Sequence, residues 1–401
     1  MRATRVLQKC LADSLHPMHQ TRSRVLLRAV EALIVGRRLT LMDVARSWPD
    51  AERVRAPLKA FDRLLSNPHL HGEREQVYAG MARWLLRSEQ PVIIIDWSDL
   101  KPDQSWGLLR AAVPVGGRTL PILDMVFPGS QMGSPKAEKQ FLQRLKHIVP
   151  EGVTPILVTD AGYRAPWFRA VDALGWHWLG RLRHNTLVKP VDAHAKDDWV
   201  PSRALYELLE GYGTRDMERM DTVRDHPLTC RVVIHRNKGK GRKHRNLNGE
   251  PARTTSSRKV AARYREPWLL VASPSLQLSA RQLVKLYARR MQIEQSFRDL
   301  KSHHYGSAFE DSLTRSGKRL QVLLLVHVMA NFASWLAGLA CEATGLDHWL
   351  MPIKTARKLY STMRIGREAL IRSWPMDRTS RWLERLRSLP PDVLDQTRAP
   401  A

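Results

Sequence analysis

The sequence predicts an α/β fold in which a mixed sheet is flanked by helices. Three observations support this class. Before residue 88 apolar residues recur three and four positions apart, which is typical of helices. From Pro91 onward, short β-branched runs end in acidic residues, as buried strands do, and they alternate with amphipathic segments. The order of these segments predicts a sheet that begins with antiparallel pairing and is covered by helices.

Residues 1–88 are predicted to form a helical N-terminal DNA-binding domain. The segments 39–48 and 56–65 have the spacing of a helix-turn-helix, although two consecutive amphipathic helices are common in any helical domain. The basic residues available there for phosphates are Arg53, Arg55, Lys59 and Arg63.

Residues 89–186 are predicted to form the first part of an α/β core. The run P-V-I-I-I-D indicates a buried strand with Asp96 at its exit, and a second buried strand at 155–159 is followed by Asp160. Between and after them we predict strands at 107–114, 119–127 and 176–183, and helices at 136–148 and 166–174.

Residues 187–267 are interpreted as a basic, β-rich insertion. Its segment 236–265 holds eleven Lys or Arg residues against the single acid Glu250. The Gly, Asn, Ser and Thr content favours strands joined by mobile loops, and a disordered basic loop is the alternative. Either form would bind phosphates.

Residues 268–345 are predicted to complete the core, and 346–401 to form a helical basic C-terminal region. The longest apolar tract, 320–341, is interrupted by polar residues. We therefore predict a buried helix there rather than a membrane span.

One polar stripe is predicted on the helix from Tyr287 to Lys301. Tyr287, Arg290, Glu294 and Lys301 are three, four and seven residues apart, so their side chains share one face of a helix. The apolar residues of the same segment fall on another face. This helix is therefore expected to have a buried side and a chemical side.

The charge of the chain restricts its partners. Its 401 residues include 65 Lys plus Arg and 39 Asp plus Glu, a net charge of +26. Such an excess favours a nucleic acid, and a merely basic soluble or ribosome-associated protein is the alternative. Three widely spaced cysteines and a charged N-terminus predict a cytoplasmic protein without disulfides, zinc modules or a signal peptide.

Three acids are the candidate catalytic residues. Adjacent strand ends would bring Asp96 and Asp160 together, and Glu294 projects from the polar stripe. Carboxylates held close together bind Mg²⁺ or Mn²⁺, and two such ions catalyse phosphodiester cleavage. Each acid has a structural alternative, and Asp160 in particular could cap the next helix. Nearby acids compete with them: Asp99, Asp103, Asp299 and Glu310.

The residues that form the stripe resemble a known family. The spacing Tyr-x₂-Arg-x₃-Glu-x₆-Lys is the YREK signature of RNase H-like DDE transposases of bacterial insertion sequences. The segments I-I-I-D-W-S-D-L and V-T-D-A-G-Y-R-A-P-W-F are most similar to the branch that includes the transposase of the tetracycline-resistance composite transposon. The resemblance extends over residues 39–366 and implies an RNase H-like fold.

The resemblance also implies roles for individual residues. Asp96, Asp160 and Glu294 would bind two Mg²⁺ ions, with Mn²⁺ as an alternative, and Tyr287, Arg290 and Lys301 would contact DNA. Trp268 would stack on a base that is flipped out when the DNA end forms a hairpin, although a core role for this tryptophan is an equal alternative.

The expected reaction is cut-and-paste transposition. The protein would bind the terminal inverted repeats of a transposon as a homodimer, cleave them through a hairpin, and join the 3′ ends to target DNA near the bacterial nucleoid. Two other hypotheses remain: an RNase H-like metal-dependent nuclease or resolvase, which cleaves without joining, and a non-catalytic DNA-binding protein.

Overall fold

The chain forms two compact units. The computed structural model describes residues 2–183, 185–192, 198–238, 255, 266–350, 358–376 and 389–400. The first unit comprises Met1–Pro155 and Arg290–Ala399, and the second comprises Ile156–Arg289 and Pro400–Ala401. Most of the predicted basic segment, residues 239–254 and 256–265, lies outside the described residues.

The first unit begins with helices, as the apolar spacing predicts. They are α1 (Ala3–Cys10), α2 (Ala12–Leu15), α3 (Gln20–Gly36), α4 (Leu41–Arg46), α5 (Arg55–Leu65) and α6 (Pro68–Leu85). The Thr40 hydroxyl caps α4 by accepting from the Asp43 N–H, and the Asn67 side chain caps α6 in the same way. Helices α4 and α5 correspond to the predicted helix pair, and its four basic side chains are exposed. DNA binding by this pair remains a prediction.

A three-stranded antiparallel meander follows. Its strands β1 (Val92–Asp99), β2 (Trp106–Pro114) and β3 (Thr119–Pro128) lie in the order β3-β2-β1, and α7 (Pro135–Ile148) comes next. A tight turn joins β2 to β3. Its central residues Gly116 and Gly117 have φ of 88° and 75°, a left-handed conformation that glycine adopts without steric cost.

The second unit contains a mixed sheet. Its elements are β4 (Ile156–Val158), α8 (Ala165–Asp172), β5 (His177–Arg181), β6 (Leu187–Pro190), β7 (Val200–Pro201), β8 (Gly213–Thr222), β9 (Leu228–Arg236), β10 (Trp268–Ala272) and α9 (Ala280–Ala288). The strands follow the order β4-β5-β10-β9-β8-β6-β7, in which β4 and β5 are parallel and the other pairs are antiparallel. The insertion is therefore β-rich in its described part, as predicted.

The chain then returns to the first unit, where it forms α10 (Met291–Lys301), α11 (Gly317–Thr344), α12 (Thr362–Ile371) and α13 (Pro391–Thr397). Helix α10 packs against the meander, and α11 packs against α1, α3, α6, α12 and β3. Strand, strand, strand, helix, strand, helix, strand is the observed order from β1 to β5. The predicted α/β class with an RNase H-like mixed sheet is confirmed.

Helix α11 is the core of the first unit. It is long and apolar enough to cross a membrane, but 94% of its most apolar window is buried inside the protein. The predicted buried helix is therefore observed.

Helices α11 and α12 touch through their backbones at two glycines. A Cβ atom on Gly338 would lie 1.9 Å from the Thr362 carbonyl oxygen, and one on Gly366 would lie 1.8 Å from the Ser334 carbonyl oxygen. Because no side chain fits in such a gap, these glycines set the distance between the two helices.

An ion pair lies entirely within the core beside the meander. Arg110 Nε and Nη2 donate to Asp124 Oδ1 and Oδ2 at 2.7 and 2.6 Å, and both side chains are fully buried. The Arg110 guanidinium also lies 5.3 Å from the centre of the Phe297 ring on α10. Arg110 thus connects strands β2 and β3 to α10.

His327 is a buried, neutral histidine on α11. Its Nε2 accepts from the Asn331 amide at 2.9 Å, which leaves the proton on Nδ1 to donate to Ser307 Oγ at 3.0 Å. Burial, together with the smaller effect of the charges of Arg110 and Arg367, lowers the pKa of His327 from 6.5 to about 3.

This histidine makes a testable contribution to acid sensitivity. The unfolded chain binds a proton at His327 below pH 6.5, whereas the folded chain does so only near pH 3. The free energy of unfolding should therefore decrease as the pH is lowered across that interval. His327 should account for at most about 1.4 kcal/mol of this decrease per pH unit. In urea unfolding between pH 7 and pH 4, a His327→Gln variant should lose less free energy of unfolding than the unsubstituted chain. A His16→Gln variant, changed at an exposed histidine, should lose as much as the unsubstituted chain. An unchanged slope in His327→Gln would contradict this account.

Candidate active site

Asp96 lies on β1 of the first unit and is buried. The apolar run ends at Asp96, but the predicted end of the strand at this residue is wrong. Strand β1 continues to Asp99, because residues 96–99 keep pairing with residues 107–110 of β2. The Asp96 side chain is only 11% exposed, so its carboxylate requires a partner.

Arg290 supplies that partner and also reaches Glu294. Arg290 Nη1 lies 3.0 Å from Asp96 Oδ2 and 3.4 Å from Glu294 Oε1. The Arg290 side chain is 13% exposed, whereas that of Glu294 is 47% exposed. One guanidinium therefore joins two of the three predicted acids at the surface of the first unit.

This geometry fits a divalent cation. Two carboxylates that converge on one positive group present the oxygen ligands that Mg²⁺ and Mn²⁺ require. Within the described ranges, no three His, Cys, Asp or Glu side chains are gathered closely enough to hold a metal ion. In the first unit Arg290 offsets one of the two negative charges of Asp96 and Glu294.

Lys301 lies at the far end of α10 in an acidic environment. It is half-buried, and burial lowers its pKa. The carboxylates of Glu310, Asp99 and Glu294 raise that pKa and so offset part of the shift. Lys301 and Glu294, two helical turns apart, therefore interact electrostatically.

Two of the competing acids have other partners. Asp103 accepts hydrogen bonds from the Ser105 N–H and hydroxyl at 3.0 and 2.7 Å, and these bonds lower its pKa. Burial raises the pKa of Asp299, whose carboxylate pairs with Arg118 at 2.5 Å. Asp103 therefore stabilises a turn, and Asp299 holds the β2–β3 hairpin against α10.

The predicted continuous helix from Tyr287 to Lys301 is wrong. Helix α9 ends at Ala288 and α10 begins at Met291. The Arg289 and Ile293 N–H groups donate to Leu286 and Arg290 carbonyls three residues back, which tightens the turn between them. Neither proline nor glycine marks the interruption in the sequence. Tyr287 therefore belongs to the second unit, and Arg290, Glu294 and Lys301 belong to the first.

Asp160 follows β4 in the second unit. Its Oδ1 accepts from the Gly162 N–H at 2.7 Å, which makes a local turn. The alternative of a helix cap is wrong, because α8 begins only at Ala165 and its N-terminus has no side-chain cap. Arg183 donates to the Ala161 carbonyl at 2.8 Å and so fixes the loop that carries Asp160.

Trp268 and Tyr287 contact each other in the second unit. Their ring centres are 5.1 Å apart in an edge-to-face arrangement, and the His235 ring lies 5.8 Å from Trp268. Trp268 is partly exposed, whereas Tyr287 is 6% exposed. Tyr287 is thus a buried support rather than part of an exposed polar stripe.

Sequence reasoning missed two residues of this region, Arg110 and His235. Arg110 of β2 lies opposite Asp96 of β1 in the strand register. In the second unit, His235 of β9 lies opposite Trp268 of β10. Only the register of the strands identifies these neighbours. No spacing within the sequence marks either residue.

A comparison with known families identifies the core. Residues 87–331 match the family model described as the transposase DDE domain. This match covers more than half of the 401 residues and includes every predicted site residue from Asp96 to Lys301. No curated protein matches the chain.

Removal of Arg290 should change the response of the protein to metal. In Arg290→Ala, Asp96 and Glu294 lose their shared cation. Without metal, the free energy of unfolding should therefore fall by about 1–2 kcal/mol, and the melting temperature should fall with it. Added Mg²⁺ or Mn²⁺ should then raise the melting temperature more than in the unsubstituted chain, because no guanidinium competes.

The matched control is Arg298→Ala, an exposed arginine on the same helix. Differential scanning fluorimetry over a series of metal concentrations provides the measurement. Equal metal-dependent shifts in the two variants would refute the competition.

Proposed function

Since the chain belongs to the family of transposase DDE domain proteins, we propose that it is a cut-and-paste DNA transposase. The observation that carries the proposal is the convergence of Asp96 and Glu294 on a single cationic group. Together with Asp160 these acids would hold two Mg²⁺ ions, or Mn²⁺ in their place. The YREK signature and the similarity around Asp96 and Asp160 favour the branch that includes the transposase of the tetracycline-resistance composite transposon.

The proposed reaction is a series of phosphoryl transfers. Water attacks a phosphodiester at the transposon end and releases a 3′ hydroxyl. That hydroxyl attacks the opposite strand to form a hairpin, water reopens it, and the 3′ hydroxyl attacks target DNA. Each step forms one P–O bond and breaks one. When bound, the metal ions activate the attacking oxygen and stabilise the leaving oxygen.

Residues of both units would hold the DNA. Arg290 and Lys301 would contact phosphates near the cleaved bond, and the buried Tyr287 would contribute to DNA binding by supporting the Trp268 ring. For Arg290 this requires an exchange, since its guanidinium binds Asp96 and Glu294 in the absence of DNA and metal. We propose that metal binding at the carboxylates releases Arg290 to a phosphate.

Trp268 is proposed to stack on a flipped base. Its partly exposed ring is held from one side by Tyr287 and from another by His235, which limits its motion. A fixed aromatic surface loses little entropy when a base stacks on it.

The working form is proposed to be a homodimer on paired terminal inverted repeats, acting at the nucleoid in the bacterial cytoplasm. Two DNA ends that are cut and joined together require two active sites. The net charge of +26 supports the DNA partner.

Cleavage of end-containing DNA tests the function. With Mg²⁺, purified protein should cut a duplex that carries the inverted repeats flanking its gene, pass through a hairpin, and join the product to a target plasmid. Asp96→Ala should reduce cutting at least about a thousandfold, because a metal ligand is lost. The neighbouring acid variant Asp103→Ala, which changes only an exposed turn, should cut normally.

Two other outcomes would replace the proposal. Metal-dependent cutting without joining would indicate a nuclease or resolvase. Full cutting by Asp96→Ala would show that Asp96 is not a metal ligand of the reaction and would overturn the catalytic assignment. DNA binding that never leads to cutting with any divalent metal would indicate a non-catalytic DNA-binding protein.

Trp268 should affect one step more than the others. Trp268→Ala should lower the rate of hairpin formation about tenfold and leave first-strand nicking within about twofold, since stacking contributes about 1–3 kcal/mol per base. Trp268→Phe should retain most of the rate. The control is Trp349→Ala, which removes a tryptophan that is 62% exposed in the first unit. Denaturing gels separate nick from hairpin, and an equal loss of both steps would rule out a stacking role.

A further inference from the structure

The first unit contains a large cavity that none of the three predicted catalytic acids lines. Its volume is about 950 Å³, within the upper range of ligand sites. Its walls are the end of α3, the tip of the β2–β3 hairpin, the segment after α10, and parts of α11 and α12. All of these elements belong to the same unit.

The walls carry a strong excess of positive charge. Five arginines line the cavity: Arg37, Arg38, Arg118, Arg364 and Arg367. The carboxylates close to them are Asp299, which lines the cavity, and Glu368, which lies behind it. Among the described residues, three positive charges therefore remain in excess.

Several of these guanidinium groups are held in fixed positions. Arg367 donates from Nε and Nη2 to the Ile34 and Leu33 carbonyls at the C-terminal end of α3, at 3.0 and 3.2 Å. The buried Glu368 carboxylate binds Arg37 at 3.1 Å and Arg364 at 3.0 Å. An anion would find these groups already in place, which reduces the entropic cost of binding.

Without a bound anion, the positive charges of these arginines repel one another. Burial lowers the pKa of Arg367 to about 10, and the charges of Arg37 and Arg364 contribute to that shift. Arg38, by contrast, is exposed and forms no ion pair with another residue in the described part of the chain. Like charges gathered around an open cavity favour an anionic ligand rather than a structural role.

Aromatic rings accompany the charge. Tyr305 and Tyr360 line the cavity with 83% and 38% of their surface exposed. The His304 ring lies 6.2 Å from Tyr305. Arginines that bind phosphates next to exposed rings that stack on bases are typical of surfaces that bind single-stranded DNA.

We propose that this cavity binds the phosphodiester backbone of a DNA strand, with a base of that strand stacked on Tyr305. The site rests on the proposed function in taking DNA as its ligand. It is independent of the metal chemistry, because it uses neither Asp96 nor Glu294. It would give the protein a second DNA-binding site, in addition to the proposed active site, formed by residues of the first unit alone.

A charge-matched pair of variants tests the site. Arg38→Ala with Arg364→Ala removes two cavity arginines, and Arg24→Ala with Arg28→Ala removes two exposed arginines of α3 that lie outside the cavity. Binding of the full chain to labelled transposon-end DNA with an unpaired terminus should be measured by fluorescence anisotropy at several salt concentrations, without divalent metal.

The cavity variant should bind about tenfold more weakly, and its plot of log affinity against log salt should be shallower by about 1–2, as expected for lost phosphate contacts. The control should stay within about twofold. Unchanged melting temperatures would show that both variants are folded. Equal losses in the two variants would overturn the proposal.

Two further measurements identify the ligand. DNA should protect Arg38 from phenylglyoxal, as detected by peptide mass spectrometry. Protection by inorganic tripolyphosphate but not by DNA would assign the site to a small polyphosphate and overturn the proposal. Tyr305→Ala should weaken binding of a single-stranded oligonucleotide about tenfold, and Tyr305→Phe should not. Equal binding by both variants and the unsubstituted chain would rule out stacking on Tyr305.

The two proposals fail in different ways. If Asp96→Ala cuts DNA normally while the cavity variant loses affinity, the catalytic assignment is wrong and the cavity site stands. If Asp96→Ala is inactive while the cavity variant binds as the control does, the reverse holds.

Discussion

The buried ion pair between Arg110 and Asp124 is the constraint on which the first unit depends. It joins β2 to β3 by two short hydrogen bonds, and the Arg110 guanidinium also lies over the Phe297 ring of α10. A charge enclosed in this way is tolerated only while its partner remains, and loss of one partner from such a pair typically costs about 3–5 kcal/mol. Strands β2 and β3 and the helix that carries Glu294 are thus connected through Arg110.

The same pair lies next to a second buried acid of the meander. Asp96 is the cross-strand neighbour of Arg110, so a permanent positive charge lies on its side of the sheet. Arg290 adds a second positive charge from outside, and it alone also reaches Glu294. Asp96 therefore lies between the buried Arg110 and the nearly buried Arg290.

Most of the fold could be predicted from the sequence, because its elements have strong local signals. The β-branched run before Asp96, the apolar period of α11 and the amphipathic helices all formed where their patterns indicate. The interruption between Tyr287 and Glu294 could not be predicted, since it depends on three-residue hydrogen bonds rather than on a helix-breaking residue. The partners of the site residues were equally hidden. Arg110 and His235 become neighbours of Asp96 and Trp268 only through strand register, which tertiary packing sets.

The contact between α11 and α12 has a consequence for how this protein tolerates change. Gly338 and Gly366 leave no room for even a methyl group, whereas Arg364, only two residues from Gly366, is exposed. In a library of random variants these neighbouring positions should therefore behave in opposite ways. The glycines would admit almost no substitution, whereas position 364 has room for other side chains but would lose its ion pair with the buried Glu368. The chemistry of this surface can thus diverge between related proteins while the spacing of its supporting helices stays the same.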